Sequence, residues 1–187
     1  MKVQRFCEFC AALALVFRFG MVHGITGRLP VGYDTVATHG QPQSHEVSRP
    51  GDYITEVHRM WDEQQVERSE MVGWWADKPV VETNDEMVKA TAFVRPGRVL
   101  VAIASWHGGR NCMLLPGTAA CPATTVRVDV DWAAINMTAS AVSIVAPRMG
   151  GSYFAFQNET AVPVEKLARL SVAPKRGLVL VLSDGAL

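Results

Sequence analysis

The hydrophobic period of this chain changes once, near Met71, from about 3.6 residues to two, and no other feature constrains the fold as much. Upstream, Phe6, Phe9, Cys10, Leu13, Val16 and Phe17 recur every three to four residues, which predicts a helix over 1–19. Ile54, Val57, Met60 and Trp61 form a second stripe behind Asp52, a residue suited to capping, and predict a helix over 52–66. Between them, residues 20 to 51 are punctuated by glycines and prolines and read as one long irregular segment. Downstream, Val88, Ala90, Ala92 and Val94 alternate with Lys89, Thr91, Phe93 and Arg95, and Pro96-Gly97 turns the chain into the apolar run 99 to 106. Val126, Val128, Val130 and Trp132 alternate with Arg127, Asp129 and Asp131, so one face is apolar and the other wet. With further segments at 140–146, 152–157, 160–164 and 178–182, the expectation is a mainly β chain. Its antiparallel β-sandwich spans 71–183, after two helices and a long loop.

A chain of 187 residues, 49% hydrophobic, has room for one domain, or one domain and a fragment. Its 18 basic and 18 acidic residues cancel, and no basic block is present, which argues against a nucleic-acid partner. The apolar stretch 9–17 is too short to span a bilayer, so no transmembrane segment is expected there. Lys2 and Arg5 precede it as in a signal peptide, but no small-x-small cleavage site follows, and an amphipathic helix fits the stretch better.

Chemistry-bearing residues are sparse. The histidines His23, His39, His45, His58 and His107 show no metal-ligand spacing, and neither a metal nor another cofactor is expected. Cys7 and Cys10 have CxxC spacing within an apolar helix face and read as core thiols. Cys112 and Cys121 flank a short loop and are expected to lie close, near enough for a bridge where the compartment oxidises thiols. The sequons at Asn136 and Asn158 are compatible with a secreted or lumenal glycoprotein. A serine nucleophile would enlist Ser105 or Ser183 with His107 or His23, but no Gly-x-Ser-x-Gly elbow exists. Trp74, Trp75, Trp106 and Trp132 raise a sugar-stacking platform. Core packing fits them better, because Trp132 shares its face with inward valines and Trp106 ends a buried strand.

The ordered segments FRFGMVHGITGRLP (17–30), VHRMWDEQQVERSEMVGWW (57–75), KATAFVRPGRVLVAIASW (89–106), VDWAAI (130–135), Phe156-Gln157 and RGLVLVL (176–182) together resemble the C-terminal part of proteins similar to glycoside hydrolase family 123. The resemblance covers about residues 15 to 183, with an apparent insertion from Asn111 to Pro122. It implies that residues 1–66 are the end of a (β/α)₈ barrel, namely a helix, a rim loop and a connecting helix, and that 67–187 form the sandwich. It also implies a glycan or glycoside substrate, a terminal β-linked N-acetylgalactosamine whose 2-acetamido oxygen attacks while an adjacent Asp-Glu pair on the barrel assists. Of the two adjacent acidic pairs here, Asp62-Glu63 falls in the connecting helix and Asp85-Glu86 in a turn before a strand. Neither follows a barrel strand, so the catalytic residues are unassigned and the chain is expected to be inactive by itself. On the rim loop, Arg18, His23, Arg28 and Asp34 are the candidates for substrate contact, since Arg and Asp supply the directional hydrogen bonds that sugars require. The alternative is a stand-alone carbohydrate-binding or structural module, which an exposed, coplanar Trp pair would favour. The sandwich of α-galactosidase-type enzymes is also similar but does not account for RFGM and MVGWW.

Overall fold

The computed structural model describes residues 59–108, 112, 118–151, 154–174 and 176–185. The expected first helix, the long loop and the start of the second helix lie outside these residues.

The described chain enters as a helix over 59–64, and Met60 and Trp61 from the predicted stripe are buried. The helix stops at Gln65, which takes a left-handed backbone (φ 50°, ψ 48°) that glycine more often supplies. Two contacts hold it there: Arg95 Nη1 donates to Gln65 Oε1 at 2.6 Å, and Ser69 Oγ donates to the Gln65 carbonyl at 3.1 Å. A 3₁₀ turn, Val66–Arg68, then leads into the strands.

Those strands are β1 (Glu70–Val72), β2 (Val81–Thr83), β3 (Val88–Arg95), β4 (Arg98–Ser105), β5 (Thr124–Val126), β6 (Val128–Val130), β7 (Val142–Ala146), β8 (Met149–Gly151), β9 (Phe154–Gln157), β10 (Thr160–Ala161), β11 (Leu170–Val172) and β12 (Gly177–Asp184). One six-stranded sheet, ordered β1-β3-β4-β12-β7-β10, dominates, and every adjacent pair in it is antiparallel. The fold is mainly β with antiparallel sheets, as the change of period implies. Residues 73–80 between β1 and β2 form turns, so the segment 70–75 is strand only to Val72.

β3 and β4 form the expected hairpin. Gly97 at its tip has φ 71°, the positive value that a type II turn requires after its Pro96. The alternation read in β3 is incomplete, because Phe93 and Thr91 are buried as well as Ala90 and Ala92. The reason is a second layer on each side of the sheet. On one face Val99, Val101, Ile103, Leu180 and Leu182 pack with Val81, Val126, Val128, Leu167 and Val172. On the other, Leu100, Ala102, Ala104, Val179 and Val181 pack with Met60, Trp61, Val66 and Met149. Strands covered on both faces read as continuous apolar runs, and β4 and β12 do.

The layer that carries Val81 and Val126 is built of two ribbons, β2-β6 and β5-β11. A third ribbon, β8-β9, stands apart from both in pairing. The alternating run 126–132 changes partner at Arg127. Its N–H donates to Asn84 Oδ1 at 2.7 Å and its carbonyl accepts from the Asn84 N–H at 3.2 Å, so β5 pairs with β11 while β6 pairs with β2. The exposure pattern holds across that break, with Val126 and Val128 buried and Arg127, Asp129 and Asp131 exposed. Gln157 joins β9 to the sheet as a complete amide clamp: Val179 N–H donates to its Oε1, and its Nε2 donates to the carbonyls of Val179 and Pro147.

Candidate functional site

Two groups of side chains in the described structure go beyond packing. The first stands on the sheet face that the helix covers. Met71 lies directly opposite Phe93 in the antiparallel β1-β3 pair, so both point to one face, and Phe93 belongs to the cluster of Met60 and Trp61. Lys89 is four residues from Phe93 along β3 and shares that face. Its ammonium lies 4.9 Å from the centre of the Trp74 ring, a cation–π distance. Trp74 and Trp75 meet edge to face, with centroids 5.6 Å apart and planes 88° apart. A Cβ at Gly73 would come within 2.6 Å of the Trp75 ring, so the absence of a side chain there lets the indole fold down on the backbone.

Trp75 is 49% exposed, Trp74 36% and Met71 41%. Core packing, expected for all four tryptophans, therefore holds for Trp106 and Trp132, each packed against a core cluster, and fails for this pair. The pair follows a strand in the sequence but sits in the turns after Val72, where nothing forces it inward.

The second group is a polar lock at the end of the β3-β4 hairpin. His107 Nε2 and Asp85 Oδ2 are 2.7 Å apart, and Asp85 Oδ1 accepts the Met87 N–H at 2.8 Å. Burial pushes the Asp85 carboxyl upward. The hydrogen bonds from His107 and Met87, with the charges of His107 and Lys89, outweigh burial and hold its pKa below the usual carboxylate value. Thr83 Oγ1 donates to the Val88 carbonyl, and Asn84 grips Arg127 as described above, so the turn 83–87 ties β2, β3, β4 and the β5/β6 break together. Trp106 N–H completes the lock on the Met87 carbonyl at 2.7 Å. The signal for it was available, since a hairpin about Pro96-Gly97 brings the turn before β3 opposite the exit of β4.

Beyond His107, Gly108 has φ 80°, and a Cβ there would meet Cys112 Sγ at 2.8 Å. Cys112 is bonded to Cys121, with Cα atoms 5.4 Å apart, as the loop's flanks predicted.

The serine reading meets buried hydroxyls. Ser105 is fully buried, and its Oγ accepts the His107 backbone N–H at 3.3 Å. Ser183 is buried too, with its Oγ against the Gly185 carbonyl at 3.4 Å. The two acidic pairs are drawn to different partners: Glu63 pairs with Arg59 one helical turn back, and Asp85 with His107. Among the described residues, no group of three or more His, Cys, Asp or Glu is arranged to hold a metal ion. Nor is any described helix long and apolar enough to cross a membrane. Arg18, His23, Arg28 and Asp34 lie outside the described residues, as do Cys7, Cys10, His39, His45 and His58.

A six-stranded antiparallel sheet, a short helix on one face and ribbons on the other make a layered, mainly β domain. The family model for the glycoside hydrolase 123, C-terminal domain, matches residues 54–183, and the chain belongs to that family. No curated protein matches the chain. No solved structure matches it either.

Proposed function

We propose that this chain is the C-terminal part of a glycoside hydrolase 123-like protein whose catalytic carboxylates lie on a (β/α)₈ barrel outside the sandwich. In this reading residues 1–66 are the end of that barrel and 67–187 the module that closes it. The glycan substrate reaches the barrel mouth, where Arg18, His23, Arg28 and Asp34 of the rim loop hold its hydroxyl groups. The reaction is hydrolysis of a terminal β-linked N-acetylgalactosamine assisted by the substrate's own acetamide.

The observation that carries the reading is the match of residues 54–183 to the C-terminal domain of the family. The aromatic edge supports it. Met71, Trp74 and Lys89 continue the face on which the helix 59–64 packs, so the surface left open is contiguous with the one the preceding chain already touches. An apolar surface of this kind, rimmed by charge, suits docking of a neighbouring domain. A free-standing sugar platform would need its rings side by side in one plane. Trp74 and Trp75 are instead perpendicular, and one ring carries the Lys89 ammonium.

The test joins the chain to a family 123 barrel. Aryl N-acetyl-β-galactosaminide hydrolysis should follow the barrel's Asp-Glu pair, and Arg28→Ala should raise KM. Trp74 and Trp75 should be labelled by an indole-specific reagent in the chain alone and protected in the joined protein. Equal labelling in both would remove the docking surface from the account.

A further inference from the structure

The Cys112–Cys121 bridge carries information beyond the loop it closes. Both cysteines are buried, at 6% and 4% exposure, and the bridge is flanked by a left-handed glycine that leaves room for the sulfur. Disulfides of this kind form in secretory, lumenal or periplasmic compartments and are rare where thiols are kept reduced. The same chain holds two Asn-x-Thr triplets, and the fold places both acceptor asparagines at the surface. Asn158 and the two residues after it, Glu159 and Thr160, are all exposed; Asn158 and Glu159 connect β9 to β10, and Thr160 opens β10. The Thr160 hydroxyl, the group such a triplet needs, sits 3.3 Å from the Asn158 carbonyl to which it donates. Asn136 is exposed in a tight turn with φ 54°, but Met137 behind it is buried and its N–H is bonded to the Trp132 carbonyl at 2.9 Å.

We infer that Asn158 is an N-glycosylation site and that the domain matures in an oxidising secretory compartment. The donor is a lipid-diphosphate-linked oligosaccharide. Asn158 Nδ2 attacks the anomeric carbon, a C–N bond forms as the C–O bond to the diphosphate breaks, the lipid diphosphate departs and the amide gives up one proton. The attached glycan projects from a connection with no buried side chain at 158–160, so the folded domain accommodates it without rearrangement. At Asn136 the buried Met137 anchors the neighbouring backbone, which makes that triplet the poorer acceptor once folding has begun.

The experiment isolates the full chain from the cells that make it and treats it, in heavy-oxygen water, with a glycan-releasing amidase that hydrolyses the asparagine side-chain amide. The expected result is a mobility shift, conversion of Asn158 to Asp with uptake of one heavy oxygen in the mapped peptide, and Cys112 and Cys121 recovered as one linked peptide before reduction. Asn158→Gln and Thr160→Ala should each abolish the shift while thermal melts stay unchanged, and Thr160→Ser should restore it. A chain whose Asn158 peptide is wholly unmodified, with the bridge formed or with both thiols free, overturns the inference.

Discussion

The centre of the main sheet and its β1 edge share a face yet obey different rules. At the centre, alternate residues of β4 and β12 are buried on opposite faces, and every one from Val99 to Ser105 is inaccessible. At the edge, two tryptophans stand in the solvent over a glycine and a lysine. Apolar character is thus similar in the two places, but at the centre it is buried on both faces, whereas at the edge the rings touch one another, Gly73 and Lys89 and keep part of their surface in water. The centre holds the fold together, and the edge keeps Met71, Trp74 and Trp75 partly exposed.

Substitutions should separate the two regions sharply. Ile103→Ala removes a fully buried side chain between β4 and the ribbons, and a loss of about 2–5 kcal/mol in urea unfolding is expected. A loss below about 1 kcal/mol would mean that the centre is loosely packed. Cys112→Ser with Cys121→Ser opens a short loop beside the polar lock and should cost roughly 2–3 kcal/mol, read as a drop in Tm under non-reducing conditions.

Asp85→Asn tests the lock. A carboxyl whose folded pKa is depressed contributes stability that is present above its unfolded pKa and is lost as pH falls through the folded one. The wild-type Tm should therefore fall on acidification through and below the carboxylate range more steeply than that of the variant. The gap at neutral pH should stay within about 1 kcal/mol, because the pair is partly solvated. Parallel Tm–pH curves would assign Asp85 no part in acid sensitivity. Trp75→Ala at the open edge should change stability by only about 0.5 kcal/mol. A cost as large as that of Ile103→Ala would move the edge into the folding core and erase the contrast.

The same contrast explains what the sequence discloses. The run 126–132 alternates cleanly because one side of it meets water, and its exposure pattern is legible although its change of partner at Arg127 is not. That break depends on Asn84, 43 residues away, and no local pattern announces it. The strands β2 and β11, three residues each, are too short to impose a period. β3 misleads in the opposite sense: Phe93 and Thr91 look like its outer face until a helix covers them. The approach of Cys112 and Cys121 is legible because they flank a short loop between strands, but the bond itself is not, since it depends on a compartment that oxidises thiols. Trp74 and Trp75 were not, because an aromatic pair after a strand reads as core unless it is known that the strand has ended. The candidate substrate contacts Arg18, His23, Arg28 and Asp34 are legible only as chemistry, through their residue types and the family resemblance.

The central claim is that catalysis in this family's protein does not reside in the sandwich, and steady-state hydrolysis by the purified chain tests it most directly. Incubated with an aryl N-acetyl-β-galactosaminide, the chain alone should release no chromophore above the uncatalysed rate. Measurable turnover that disappears on substituting Asp62, Glu63, Asp85 or Glu86 would contradict the account and place the reacting carboxylates in this module.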